Sequence, residues 1–174
     1  MIVSSVKEAN EKSEIVRNNA NKVFEKIRKF DGSPMDFIFN AKFNTFGFHP
    51  ISSKPLNLIE QLNQSFTFIA AFEAAKKLFE WHELPNGLLV FPGAHAPKGS
   101  LDLEANELPG YLGAETFASV RPNNNGKLKA DLVKLSKRPE RYRYSFFISP
   151  LFPESKRQKE LEIEGVQVWS LWPF

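Results

Sequence analysis

The chain reads as an α/β protein, a central mixed sheet flanked by helices, with an extra helix at the N-terminal end. Three observations predict this. Residues 4–30 and 56–81 carry apolar side chains at helical spacing. Short β-prone runs bounded by turn residues follow at 87–91, 101–104, 114–120 and 142–148. From residue 56 onward the order is helix, strand, strand, strand, helix, strand, which places helices against the faces of one sheet.

At 174 residues the chain is expected to form one domain. Within it, 1–55 supplies the N-terminal helix and an extended segment, 56–150 the core, and 151–174 a C-terminal loop and strand. A hydrophobic content of 42% against 25% charged residues excludes a disordered chain, and 17 Phe imply an aromatic core. The absence of Cys excludes a disulfide framework, a thiol nucleophile and Cys-ligated zinc. His49, His82 and His95 have no paired spacing, which argues against a His-rich metal site, although His95 could touch substrate from its loop. The first residues lack a basic leader with an apolar core. The longest apolar run, residues 66–75, is interrupted by Thr67 and Glu73 and is too short to cross a bilayer. A soluble, cytoplasmic protein without a membrane partner is the expectation.

Taken in order, residues 4–30 place Val6, Val16, Ala20, Val23, Phe24 and Ile27 on one helical face, and Asp31-Gly32-Ser33-Pro34 ends the pattern. Residues 35–49 are aromatic and partly alternating, which predicts extended structure with a turn near 44–47. The helix over 56–81 is apolar nearly all round, hence buried on several sides, with a break expected near 63–65. Glu73 stands in its richest apolar run, where an unpaired acid is costly. It pairs with Lys76 or Lys77, or serves a site. Beyond the hairpin described next, Arg121-Pro122 ends a strand and the Asn run opens a helix over 125–136, with Leu128, Leu132, Val133 and Leu135 toward the sheet. Residues 142–148 and 166–172 read as further strands.

Residues 99–137 carry the chemistry. Asp102 and Glu104 stand one residue apart on a strand and share a face. Glu115 lies on the next strand, in an otherwise apolar run. The turn Glu107-Leu108-Pro109-Gly110 folds one strand back on the other and brings Glu115 near the first two acids. Carboxylates gathered on a sheet repel and cost desolvation, and a divalent metal is the commonest chemical reason to collect them. This pattern resembles the PD-(D/E)XK nuclease superfamily, in which an acid on one strand is followed by acid-x-Lys on the next and then a helix. The resemblance spans about residues 56–150, including the α-β-β-β-α-β order. Phe117 occupies the usual lysine position, and the resemblance transfers that role to the helix, to Lys127 or Lys129.

The resemblance implies a restriction- or repair-type endonuclease that hydrolyses DNA phosphodiesters with Mg²⁺, or Mn²⁺ in its place. Asp102 and Glu115, with Glu104 or Glu73, would hold the metal. A homodimer follows by analogy with double-strand cutting. Net charge is only +3, so a nucleic-acid partner has to be argued from distribution. Lys134, Lys137, Arg138, Arg141 and Arg143 crowd one stretch and suit backbone phosphates, and Asn124 and Asn125 stand at a helix N-terminus, where N–H groups are free. Lys127 in a first helical turn opposes the helix dipole, a local mismatch that singles it out. The competing class is the same fold with a degraded site, a nucleic-acid-binding or protein-interaction module, and Phe117 favours it. A Ser-His hydrolase has no motif here.

Overall fold

A computed structural model describes residues 1–93, 97 and 99–174, so His95 lies outside the described residues. The chain is mixed α/β. Its strands are β1 (Ile2–Val3), β2 (Gly47–Phe48), β3 (Pro55–Leu56), β4 (Leu88–Val90), β5 (Leu103–Ala105), β6 (Leu112–Ala118), β7 (Tyr142–Ile148), β8 (Lys156–Arg157) and β9 (Gln167–Leu171). Its helices are α1 (Val6–Arg28), α2 (Pro34–Phe43), α3 (Leu58–Trp81) and α4 (Lys127–Ser136). The main sheet has the order β1-β4-β5-β6-β7-β9-β8, and β2 pairs with β3 apart from it. Strands β4, β5 and β6 form an antiparallel meander, whereas β6, β7 and β9 run parallel. The change of direction follows from α4, which carries the chain from β6 across one face before β7 begins.

The two faces of the sheet are covered by different helices. On one, Ala70, Phe72 and Leu78 of α3 pack among Leu88, Leu103, Ala114 and Phe146. On the other, Leu128, Leu132 and Leu135 of α4 close over Leu101, Phe117, Phe147 and Val168. Burial on both sides explains why β6 and β7 lack a polar alternation. Helix α3 runs without a break, and it is held to α1 by Gln61. The buried amide of Gln61 donates to Asn19 O at 3.0 Å and accepts from Phe48 N at 2.7 Å.

The expected extended segment at 35–49 is instead largely helical, as α2. Ser33 and Asp36 form a reciprocal capping box, and Pro34 sits in the first turn where its missing N–H costs nothing. That start signal outweighs the alternation of Phe residues. The expected opening of α4 by Asn side chains is also corrected. Residues Asn124–Gly126 form a short 3₁₀ turn, Asn125 has φ 52°, and the N-cap is Gly126 in the left-handed region, with no side-chain cap. An edge strand, β1, extends the sheet beyond β4.

Candidate carboxylate–lysine site

The site forms where β5 and β6 begin to part. The last ladder pair on this side is Leu103 with Ala114, so Asp102 and Glu115 come next and lie side by side. The Asp102 backbone turns to the other neighbour, its carbonyl accepting from Phe91 N at 2.8 Å. Its Oδ2 accepts from Thr116 N at 2.8 Å and from Thr116 Oγ1 at 3.1 Å. Glu115 belongs to the same face as Phe117 and Phe147, the face beneath α4.

From above, α4 presents Lys127, Asp131 and Lys134, three positions that share one helical face. Lys134 Nζ donates to Glu115 Oε1 at 2.5 Å and to Ser100 O at 2.8 Å. Lys127 Nζ pairs with Asp131 Oδ1 at 2.6 Å and lies 5.9 Å over the Phe117 ring. A lysine in the first turn opposes the helix dipole, and Asp131 one turn on offsets that cost.

The electrostatics are those of acids drawn out of water. Burial pushes Asp102 and Asp131 above the usual carboxylate range, against the pull of Lys127 and Lys134. Glu115 is pushed up to about 7, first by burial and then by the neighbouring Asp102 charge. Asp131 Oδ2 is buried with no hydrogen-bond partner among the described residues. Ser145, directly beside Glu115 in the ladder, likewise buries an unpartnered hydroxyl.

The remaining sequence candidates lie elsewhere. Glu104 shares the face of Asp102 but accepts from Leu101 N at 2.7 Å and faces Arg138 at 3.5 Å. Glu73 is paired with Lys76 at 2.6 Å, and nothing among the described residues links it to Asp102 or Glu115. Lys129, two residues beyond Lys127, points away from the site face and is exposed. Lys134, expected at a phosphate-contacting rim, is in the site itself. Arg138 is engaged by Glu140 at 2.7 Å, and Arg143 donates to the carbonyls of Ser136 and Arg138. Asn124, Asn125, Lys137 and Arg141 are exposed. Asp131 escaped the sequence reading, although its spacing of four from Lys127 was a usable signal.

The acids offer the oxygen chemistry that a hard divalent cation takes. They present carboxylate oxygens, one of them buried without a partner, and a carboxyl destabilised as an anion. Among the described residues, no three His, Cys, Asp or Glu side chains are gathered closely enough to hold an ion as they stand. Lys134 occupies the Glu115 oxygen that such an ion would use.

No family model, curated protein or solved structure matches the chain. The fold and site therefore define a class in structural terms, an α/β protein with acids from a β-hairpin meeting lysines from the crossover helix. Among the described residues no helix is long and apolar enough to cross a membrane.

Proposed function

We propose that the chain is a divergent PD-(D/E)XK-type, Mg²⁺-dependent endonuclease acting on DNA. The reading is carried by one observation: Lys127 and Lys134 of α4 converge on the hairpin acids Asp102 and Glu115, with Phe117 where the motif lysine would stand. The order α3, β4, β5, β6, α4, β7, with an antiparallel meander and one parallel return, supports it.

Asp102 and Glu115, with Asp131 beside them, would hold Mg²⁺ or Mn²⁺. When bound, the ion would supply Lewis-acid charge at the phosphate and a more acidic water. Glu115, pushed up to about 7 by burial and the Asp102 charge, would have to ionise to ligate, so the site would fill more readily as pH rises. The ammonium groups of Lys127 and Lys134 offset negative charge gathering on the phosphoryl oxygens. Thr116 locks one oxygen of Asp102 and leaves the carboxylate a single orientation. Lys129 and Lys137 are exposed cations along this part of the chain that can meet backbone phosphates, whereas Arg138 and Arg143 are engaged within the protein.

The test is incubation of plasmid DNA with the protein in Mg²⁺, Mn²⁺ and EDTA, alongside Asp102→Ala and Glu115→Ala. Metal-dependent nicking lost in both variants is the expected result. Undiminished cleavage by both would remove the site assignment. A second reading, a catalytically degraded module that binds nucleic acid or protein, is favoured by the direct capture of Glu115 by Lys134. It predicts binding without cleavage under every metal condition.

A further inference from the structure

On the sheet face opposite the carboxylates, the start of β7 and β9 and the end of α3 enclose an open hollow of about 580 Å³. Its walls are aromatic, with Gln167 and the exposed Glu83 completing the lining. Trp81 and Trp169 lie with ring centroids 4.5 Å apart, His82 and Tyr142 4.6 Å, and Tyr111 and Tyr142 5.3 Å. These five rings remain half-exposed, although aromatic side chains of this size are normally driven inward. The floor is uncharged and hydrogen-bonded. Tyr144 OH meets His82 Nε2 at 2.7 Å. Burial holds His82 below its ordinary value and pushes Tyr144 up to about 12, so both stay neutral at physiological pH.

A second hollow of about 270 Å³ adjoins the first, with Tyr142, Tyr144 and Gln167 in the lining of both. It is basic, lined by Arg141, Arg143 and Arg157 against one acid, Glu162. Arg143 gives its Nη1 to the carbonyls at and just beyond the end of α4, which leaves Arg141 as the cation best able to meet a phosphate. Glu162 holds Arg157 through two contacts, at 2.7 and 3.0 Å, which keeps that guanidinium in place. Arg143 buries an Nε–H that has no partner among the described residues. Arg141 forms no ion pair among them and lies 5.1 Å over the Tyr142 ring. Gln167 accepts from Trp169 Nε1 at 3.2 Å, which turns its amide oxygen toward Trp169 and leaves its NH₂ group as a donor at the junction.

We propose that the joined hollows bind a nucleotide unit, with the base against the Trp169 and Tyr142 rings and the phosphate on the arginine side. A flat, sequence-tolerant stacking panel beside a cationic groove is the arrangement that holds unpaired nucleotides. An organic cation would meet one acid in the aromatic hollow, the exposed Glu83, but would also face the arginines of the adjoining one. An acidic metabolite without a ring would leave the aromatic panel unused. The same chemistry is offered by a free mononucleotide and by a single-stranded segment, and the site is independent of the carboxylates on the other face.

The experiment uses Trp fluorescence, because Trp81 and Trp169 line the hollow. The full chain is titrated with nucleoside monophosphates, the matching nucleosides, and single-stranded homopolymers of ten nucleotides. Saturable quenching is expected, with nucleosides weaker than their monophosphates. Tight binding of monophosphates identifies the free nucleotide as the source, and binding of the homopolymers alone identifies the single strand. Tyr142→Leu should weaken binding about ten-fold, the scale of one stacked base. Arg141→Ala, at an exposed position, should weaken monophosphate binding, reduce its salt slope by about one, and leave nucleoside binding unchanged. Asp102→Asn should quench as the parent does, whatever becomes of the nuclease reading. No saturable quenching by any of these ligands, unchanged binding by Arg141→Ala and Tyr142→Leu, or quenching by tetramethylammonium in their place would each overturn the proposal.

Discussion

Lys134 reaches from α4 to Glu115 on β6 with its ammonium nitrogen 2.5 Å from the carboxylate oxygen, and the acid it meets is almost wholly buried. The pair joins the crossover helix to the sheet at the point where β5 and β6 diverge. It also sets how the protein responds to pH.

Glu115 ionises at about 7 in the folded chain, against an ordinary value of 4.5. Between those values the native state keeps a proton that the unfolded chain has released. Stability from this group therefore falls as pH rises through that window, and the cost is complete above the folded value and absent below the unfolded one. The cost is on the order of 3 kcal/mol. Glu115→Gln removes it and still offers Lys134 an acceptor. Urea unfolding at pH 5 and pH 8 should show a smaller difference in the variant than in the parent. An equal difference would contradict the shift.

Mg²⁺ should raise the melting temperature, because binding to the native state stabilises it by mass action. The rise should be larger at pH 8 than at pH 5.5, where Glu115 is protonated and cannot ligate. Lys134→Ala removes the cation that shares the Glu115 oxygen. It should tighten Mg²⁺ several-fold in a thermal titration while lowering any cleavage rate. Asp102→Asn should abolish the thermal shift.

Restoring the motif lysine should harm the protein. Phe117 is buried, its ring stacked on Phe147 at 5.8 Å and 22°, within the cluster that carries α4. Phe117→Lys removes a core aromatic and places an ammonium in its space, a loss of about 3 kcal/mol or more. A fall in melting temperature without recovered activity is the expected outcome.

Gly113, within β6, leaves room for the Leu101 side chain beside the site. A Cβ at this position would collide with Leu101 Cδ1 and crowd Glu140 Cγ at 3.2 Å. Gly113→Ala should cost about 1–3 kcal/mol through displacement of Leu101. Leu101 adjoins Asp102, so the variant should also weaken Mg²⁺ binding, which the same thermal titration reads.

The sequence carried the strongest elements because their signals were local. Helix α1, helix α3, the β5–β6 acids and β7 were legible from period, turn chemistry and β-branched or aromatic content. Helix α2 was not, because Phe37, Phe39 and Phe43 mimic a strand while the decisive signal was Ser33 capping Asp36. Asp102 and Glu115 are adjacent as the turn predicted, yet Asp131 passed as one polar residue of a lysine-rich helix, because its nearness to the hairpin acids arises only once α4 packs on the sheet. The aromatic hollow draws on Trp81, Tyr111, Tyr142 and Trp169, residues brought together from distant positions by the sheet order. No local pattern announces them.

The main sheet ends at both margins in strands of two residues, β1 on one side and β8 on the other. Such margins expose few unpaired N–H and C=O groups, and β8 sets the exposed charges of Lys156 and Arg157 along its edge. Backbone templating is thereby blunted on both sides, which guards the chain against edge-to-edge aggregation. Among the described residues, neither margin of the main sheet offers a long edge to an added strand.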